Sequence, residues 1–302
     1  MNRIGFLFSG LLAVFGSVDA YAAPAKDKIE YPLKDCGGAD GYTSFSIAGF
    51  KNYPPFSWAE LDAKKHEMTG LSIYEYNGFI LDAVKTALNN IRVKKINDVF
   101  FDNYQQIQKA VLHGKTDMFF TSYYVDEAKS GADYIYPAYF GNPFIVVSRA
   151  SKKIDVSDIS ELKGLSGIVR REEEIESLIS GMLPTDTKLE VVDGAENAFR
   201  KLLSGDADFM ITSPYAAEAE VRRFKIKDKV YFGKKVLRHI KYFVAFSKLS
   251  ACRRYKGLFA QQFEEQIKDK AAMEKKLQMY IRMWADKFAK EPPLQYTPPE
   301  GE

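Results

Sequence analysis

The sequence predicts an α/β protein with two lobes, and three observations support this prediction. Short apolar strands alternate with amphipathic helices along most of the chain, a pattern typical of parallel sheets covered by helices. The alternation occurs in two series, and a β-rich segment suited to crossing between lobes follows each series. The length of 302 residues is about twice the commonest domain size, so two compact units are expected rather than one.

The first series begins with residues 43–50, whose alternating pattern predicts a strand. An aromatic turn follows, and its two prolines stiffen it as a loop. The spacing of apolar residues then predicts one helix that ends near Asn90 and another that stops at Gly114. The turn and the elements after it are Asn52-Tyr53-Pro54-Pro55-Phe56-Ser57-Trp58, a helix over 79–90, a strand over 93–101, a helix over 104–112 and a strand over 117–121.

The second series resembles the first in style but does not repeat its sequence. Its predicted elements are a strand over 165–169, a helix over 173–181, a strand over 188–192, a helix over 194–204, a strand over 208–212 and a helix over 214–224. The segments 142–148 and 242–247 suit paired crossings between the lobes. We therefore assign 40–141 and 248–288 to lobe 1, and 142–247 to lobe 2.

The end of the chain is predicted to contain two amphipathic helices, over about 250–268 and 271–288. Beyond them, residues 291–302 include four prolines and show no periodicity. This composition predicts a disordered tail.

The first 22 residues have the pattern of a signal peptide. Arg3 precedes an apolar run over 4–18, and small residues in Ala20-Tyr21-Ala22 occupy the positions that a signal peptidase inspects. We expect cleavage near Ala22 and export to the periplasm, with an uncleaved N-terminal anchor as the alternative. No later stretch approaches the length of a membrane span, so we expect a soluble mature chain.

The composition excludes several classes of partner and cofactor. Lys and Arg number 43 against 40 Asp and Glu, without basic blocks, so nothing indicates nucleic-acid binding. His66, His113 and His239 lack ligand spacing, so we expect no metal and no cofactor. Aromatic residues make up 14% of the chain, which indicates that some rings line a recognition surface. We expect a monomer.

The chain contains two cysteines, Cys36 and Cys252. An oxidising compartment favours a disulfide between them, with two unpaired buried thiols as the alternative.

Six short fragments carry a resemblance to a known family. They are Tyr53-Pro54-Pro55-Phe56, Gly78-Phe79 with Asp82, Gly114-Lys115-Thr116-Asp117-Met118, Tyr136-Pro137-Ala138-Tyr139, Leu162-Lys163-Gly164 and Gly205-Asp206-Ala207-Asp208. In this order, over residues 43–288, the chain resembles the extracellular solute-binding proteins of family 3, the polar amino-acid receptors of ABC importers. The resemblance implies the type II periplasmic-binding-protein fold, in which two α/β lobes are joined by two crossing hinge strands and the ligand is held between them.

The family's charged anchors for a zwitterionic ligand are altered in this sequence. The arginine that binds the ligand carboxylate falls on Lys129, which lacks a bidentate fork. The Gly-Thr-Thr helix start falls on the three glutamates at 172–174, and the aspartate that binds the ammonium falls on Thr212 or Ser213. A buried charge without its partner costs several kcal/mol, so we expect a ligand other than a standard α-amino acid.

The side chains at the predicted cleft positions are aromatic, hydroxylic or charged, which suits a flat, weakly charged or cationic small molecule. The predicted ligand-binding residues are Tyr53, Phe56, Trp58, Tyr104, Thr121, Ser122, Tyr123, Lys129, Arg170, Glu172, Ser213 and Tyr215. Alternatives stay open, since Tyr123 and Tyr215 also suit core positions. The glutamates at 172–174 also suit a solvated helix start that pairs with Arg170 and Arg171.

Residues 60–77 form a longer segment than the family usually has at this point. Such a segment suits a cap over the cleft or a contact with a partner protein, and a neutral surface insertion is the alternative.

The resemblance implies a binding protein rather than an enzyme: it would capture a small molecule in the periplasm and present it to the membrane permease of an ABC transporter. Two alternatives follow from the altered anchors. One is a sensor or interaction module that signals to a membrane receptor. The other is a dehydratase-like enzyme, for which the glutamates at 172–174 are the only acid/base cluster available.

Overall fold

The structure is a computed structural model that describes residues 36, 44–61, 67–68, 74–123, 131–173 and 175–299. The predicted signal peptide lies outside the described residues. Residues Leu33–Glu302 form one compact unit, and the description below concerns this unit.

The predicted strands occur in the predicted order, together with four short strands that the sequence did not predict: Asn52–Tyr53 and Ser57–Leu61, where a loop was expected, Tyr74–Asn77 and Ala132–Tyr134. The strands of the described chain are β1 (Ser44–Phe50), β2 (Asn52–Tyr53), β3 (Ser57–Leu61), β4 (Tyr74–Asn77), β5 (Lys95–Phe101), β6 (Met118–Tyr123), β7 (Ala132–Tyr134), β8 (Phe140–Arg149), β9 (Ser166–Arg170), β10 (Lys188–Val192), β11 (Phe209–Thr212) and β12 (Val230–Ser247). The helices are α1 (Leu81–Asn90), α2 (Tyr104–Leu112), α3 (Glu176–Ile179), α4 (Ala195–Ser204), α5 (Pro214–Phe224), α6 (Lys256–Ile267) and α7 (Lys270–Lys287). No described helix is both long enough and apolar enough to cross a membrane.

One large sheet contains nine of these strands, with β7 paired to β12 beside the order β10-β9-β11-β8-β12-β6-β1-β5. In the first lobe β1 is parallel to both β5 and β6, and in the second lobe β9 is parallel to both β10 and β11. Parallel strands require crossover connections, and the crossover helices α1, α2 and α4 are among those that the alternating sequence predicts.

The strands β8 and β12 join the two halves of the sheet. They pair antiparallel from Phe140 opposite Tyr242 to Arg149 opposite Val230, and β12 continues to pair with β6 and β7. The predicted fold class, two α/β lobes with two crossing strands, is confirmed. The lobe boundaries assigned above stay a prediction.

Two predicted elements differ from the structure. The helix expected over 173–181 is broken into a 3₁₀ turn at Arg171–Glu173, the single turn of α3 and another 3₁₀ turn at Ser180–Met182. Gly181 and the side-chain bonds that draw Glu173 inward disfavour a continuous helix there. The strand expected over 242–247 is the end of β12, whose lysine-rich first half hides the alternating pattern.

The long segment 60–77 contributes to a second, three-stranded antiparallel sheet of β2, β3 and β4. Residues 62–66 and 69–73 lie outside the described residues. Trp58 of β3 packs edge-on against Tyr280 and Trp284 of α7, so this small sheet is anchored to the last helix.

The disulfide between Cys36 and Cys252 predicted by the sequence is present, with the two Cα atoms 4.9 Å apart. Both cysteines are buried. The bond ties a residue before β1 to the 3₁₀ turn Ala251–Tyr255 that follows β12.

The C-terminal tail differs from its prediction. Residues 291–299 contain no regular secondary structure, but Leu294 is buried and donates its N–H to the carbonyl of Phe224 at 3.0 Å. Arg200 donates to the carbonyl of Gln295, and Pro299 lies over Gly205, where a Cβ would come within 2.8 Å of the proline ring. Contacts with α4 and α5, which composition cannot reveal, therefore order the tail as far as Pro299.

We predict that ending the chain at Glu291 lowers the free energy of unfolding by about 2 kcal/mol, because Leu294 would no longer be buried. Urea unfolding followed by circular dichroism measures the loss. The matched control ends the chain at Pro299 and keeps all the contacts named above. Equal stability of both truncated chains and the full chain would contradict this packing.

Candidate functional site

The carboxyl ends of strands from both lobes meet at one buried group of side chains. Arg170 ends β9 and Thr212 ends β11, while Tyr123 ends β6. Tyr53, in β2, comes just after β1 and lies beneath the guanidinium of Arg170, whose Cζ is 5.8 Å from the ring centroid. In open α/β sheets, ligands bind outside the carboxyl ends of the strands. This meeting point is therefore the candidate site.

A buried carboxylate lies at the centre of the group. The Oε1 atom of Glu173 accepts hydrogen bonds from Arg170 Nη2 at 3.1 Å, from the Thr212 hydroxyl at 2.7 Å and from the Ser213 N–H at 3.3 Å. Ser213 is the N-cap residue of α5, where the helix dipole favours negative charge. The three donors make this position an anion site.

A second set of hydrogen bonds connects the two lobes through the crossing strands. Asn142 of β8 donates to the Tyr242 hydroxyl of β12 at 2.8 Å and accepts from the Ser213 hydroxyl at 2.7 Å. The hydroxyls of Tyr53 and Tyr242 are 3.0 Å apart, and Tyr123 donates its hydroxyl to the carbonyl of Glu173. Each of these residues is buried, so the cleft is closed at this point.

Burial dominates the electrostatics of the site. It raises the pKa of Glu173 even though Arg170 and the hydrogen bonds from Thr212 and Ser213 oppose the rise. Burial works against the charge of Arg170, but the carboxylates of Glu173, Glu172 and Glu220 outweigh it and raise the pKa of Arg170. The guanidinium therefore stays charged, whereas Glu173 takes up a proton at a higher pH than an exposed glutamate does.

A second buried acid lies on α5. Glu220 accepts from Arg223 Nη1 at 3.3 Å, and burial raises its pKa against the charges of Arg170 and Arg223. The Arg223 guanidinium stacks on the ring of Phe288, with its Cζ 4.0 Å from the centroid. This contact holds α5 of the second lobe against the end of α7.

Two polar atoms of the central pair have no hydrogen-bond partner among the described residues. They are Nε of Arg170 and Oε2 of Glu173, and both are buried. A cavity of about 310 Å³ adjoins Arg170 and is lined from both lobes, by Asn103 and Gln105 on one side and by Arg171, Glu176 and Ser177 on the other. This volume is at the small end of the range for ligand sites.

The structure brings together five of the predicted ligand-binding residues: Tyr53, Tyr104, Tyr123, Arg170 and Ser213. Phe56 packs behind them, with its ring centroid 5.1 Å from that of Tyr53. Tyr215 is half-buried against Phe140, at 5.6 Å between ring centroids.

Five predicted residues remain. Trp58 lies apart, packed on α7 as described above. Glu172 accepts a hydrogen bond from the Gly194 N–H at 2.7 Å. Lys129 lies outside the described residues, and so do the side chains of Thr121 and Ser122 in β6.

The sequence-based prediction missed the central residue of the site. Glu173 belongs to an acidic run that suits a solvated helix start, and that interpretation is wrong for Glu173, which is fully buried. The pairing of Arg170 with this run is confirmed, whereas Arg171 bonds to Asp193 instead. Asn142 and Tyr242 were also missed. Both are polar side chains inside predicted crossing strands, and this position could have identified them as candidate site residues.

No protein-family model matches the sequence, and no curated protein is similar to it in sequence. Solved structures do match in fold. An amino-acid ABC transporter substrate-binding protein from Streptococcus pneumoniae, bound to L-arginine, superposes with a TM-score of 0.64 at 14% identity, covering 80% of this chain and 96% of that one.

Two further structures are similar. ArgBP from T. maritima, as a mutant, has a TM-score of 0.59 at 18% identity, with 80% of this chain and 95% of that chain covered. An ancestral amino-acid-binding protein described as a precursor of cyclohexadienyl dehydratase has the same TM-score at 19% identity and the same coverage. Likeness at this identity establishes the two-lobe fold, and function has to be argued from the site.

We predict that breaking the buried pair costs far more than replacing it. Glu173→Ala leaves the Arg170 charge buried without its partner and should lower the free energy of unfolding by about 3–5 kcal/mol. The double change Arg170→Met with Glu173→Met should stay within about 1 kcal/mol of the wild type, since it removes both charges and keeps the volume. Urea denaturation measures both variants.

The control for this prediction is Glu218→Ala, which breaks the exposed pair with Arg222 on α5 and should cost about 0.5 kcal/mol. A double variant as unstable as Glu173→Ala would show that the pair is not the source of the cost.

Proposed function

We propose that this protein is a solute-binding protein, exported to the periplasm, that holds a small molecule between its two lobes. The observation that carries the proposal is the meeting of strand ends from both lobes at Arg170, Glu173 and Tyr53, beside a cavity that both lobes line. A ligand in that cavity would contact both lobes at once. Ligand binding would then be coupled to hinge motion about β8 and β12.

The comparisons support a role in transport. The similar structures are substrate-binding proteins of amino-acid ABC transporters, so the partner we propose is the membrane permease of such a transporter. The alternative partner is a membrane receptor that recognises the closed form of the protein.

We further propose that the ligand is not a standard α-amino acid. The anion position formed by Arg170, Thr212 and Ser213 is filled by a side chain of the protein itself. The rings of Tyr53, Tyr104 and Tyr123 pack beside this position, and a ligand that reached them when the lobes open would be an uncharged flat molecule or a cation held over aromatic faces.

We predict that a panel of amines, aromatic compounds and nucleobases contains a compound that raises the melting temperature of the purified protein, whereas the common α-amino acids do not. At one hundred times the dissociation constant, the stabilisation is about 2.7 kcal/mol, or a rise of roughly 5–10 °C. Differential scanning fluorimetry measures the rise, and calorimetry gives the stoichiometry.

The cavity supplies a matched pair of variants for this test. Ser177→Trp places an indole at the exposed rim of the cavity and should weaken the response at least tenfold. Ser180→Trp, on the neighbouring 3₁₀ turn but away from the cavity lining, should leave the response unchanged. The proposal would be overturned if no compound in the panel raised the melting temperature, or if a common α-amino acid bound stoichiometrically.

One observation favours a second candidate, an enzyme that eliminates water. Glu173 is a carboxyl group with a raised pKa at the cleft, as a general acid requires, and one similar structure is a precursor of a dehydratase. We predict that any dehydration of a cyclic hydroxylated acid by this protein, followed by proton NMR, falls by at least a hundredfold in Glu173→Gln. Full turnover in that variant removes this candidate.

A further inference from the structure

We infer that Arg170, the Thr212 hydroxyl and the Ser213 N–H form a carboxylate-binding subsite, and that the protein's own Glu173 fills it. The inference rests on the proposed function, in that it takes the cleft between the lobes to be the ligand site. It makes Glu173 a specificity-determining residue, because it excludes ligands that carry a free carboxylate.

The three donors form a built site rather than a chance contact. They come from the ends of two different strands and from the start of an eleven-residue helix, and all three converge on the single atom Glu173 Oε1. Arg170 is 2% exposed, and Thr212 and Ser213 are fully buried. Arrangements of this kind are typical of anion recognition at a helix N-terminus.

The subsite has more donor capacity than Glu173 uses. An arginine commonly holds a carboxylate through two parallel N–H groups, one of which can be Nε. Here only Nη2 donates to Glu173, while Nε of Arg170 and Oε2 of Glu173 have no hydrogen-bond partner among the described residues. Because the Glu173 side chain is short and attached to the backbone, it forms only one of the two hydrogen bonds that a carboxylate can accept from an arginine. A carboxylate free to turn could satisfy both atoms of the guanidinium.

The backbone explains how this side chain reaches the subsite. Glu173 follows β9 by three residues and ends the 3₁₀ turn Arg171–Glu173, which folds the chain back over the end of its own strand. The Tyr123 hydroxyl of the first lobe donates to the Glu173 carbonyl and fixes that turn from the opposite side. Both lobes thus hold the glutamate in the position of a bound anion.

Chemical rescue with acetate tests the inference. Glu173→Ala keeps Cβ and removes the atoms CH₂–COO⁻, which acetate resembles. We expect acetate to raise the melting temperature of Glu173→Ala saturably, by about 3–6 °C at ten times its dissociation constant, and to leave the wild type unchanged. Sodium chloride at equal ionic strength controls for screening.

Two variants make the test specific. Glu172→Ala removes the adjacent carboxylate, which bonds to Gly194 outside the subsite, and should show no response to acetate. Arg170→Gln combined with Glu173→Ala removes the cationic donor and should abolish the response. If Glu173→Ala is recovered only by refolding, the refolding yield in acetate against chloride is the measurement. Equal yields, or equal melting temperatures, overturn the inference.

The outcomes separate this inference from the proposed function. If acetate stabilises Glu173→Ala but no compound in the ligand panel raises the melting temperature of the wild type, the subsite is supported and the proposed function is overturned. A wild-type ligand without acetate rescue supports the function and overturns the subsite.

Discussion

The burial of one carboxylate opposite one guanidinium constrains the rest of this structure. Removing Glu173 and Arg170 from water costs several kcal/mol for each ion, and only well-placed hydrogen bonds offset that cost. Those bonds come from the ends of β9 and β11, so the strand ends of the second lobe must lie close together. The first lobe then closes over the pair through the ring of Tyr53 and the hydroxyl of Tyr123.

The hydrogen bonds of the site also involve the two strands that join the lobes. Asn142 and Tyr242 belong to the two strands that join the lobes, and each bonds to a residue at the site. A rotation about these strands would strain the same hydrogen bonds that surround Glu173. Under the hinge motion that we propose, opening of the cleft and release of the internal carboxylate would be coupled through this shared network. The contact of Arg223 with Phe288 adds a connection of a different kind, between α5 and the end of α7.

The sequence predicted the elements well because their signals are local. The spacing of apolar residues gives α2 and α5 with the bounds that the structure has, and the alternation of strands and helices gives the parallel sheets. The role of Glu173 could not be predicted in this way. Its partners Thr212 and Ser213 are about forty residues away, so in sequence it is simply one of three glutamates. Trp58 and Leu294 were misjudged for the same reason, since their contacts with α7 and α5 join distant parts of the chain.

The tethered carboxylate of the subsite that we infer would change which ligands the cleft accepts. The side chain of Glu173 meets the subsite at an effective concentration set by a few rotatable bonds, which is on the order of millimolar or higher. A free carboxylate must outcompete it and must also return Glu173 to water, whereas a cation or a neutral aromatic molecule can bind beside it. The similar structures include proteins bound to arginine, and their fold is retained here at 14–19% identity. On the subsite that we infer, one glutamate just beyond the end of one strand would change ligand selection while the scaffold stays the same.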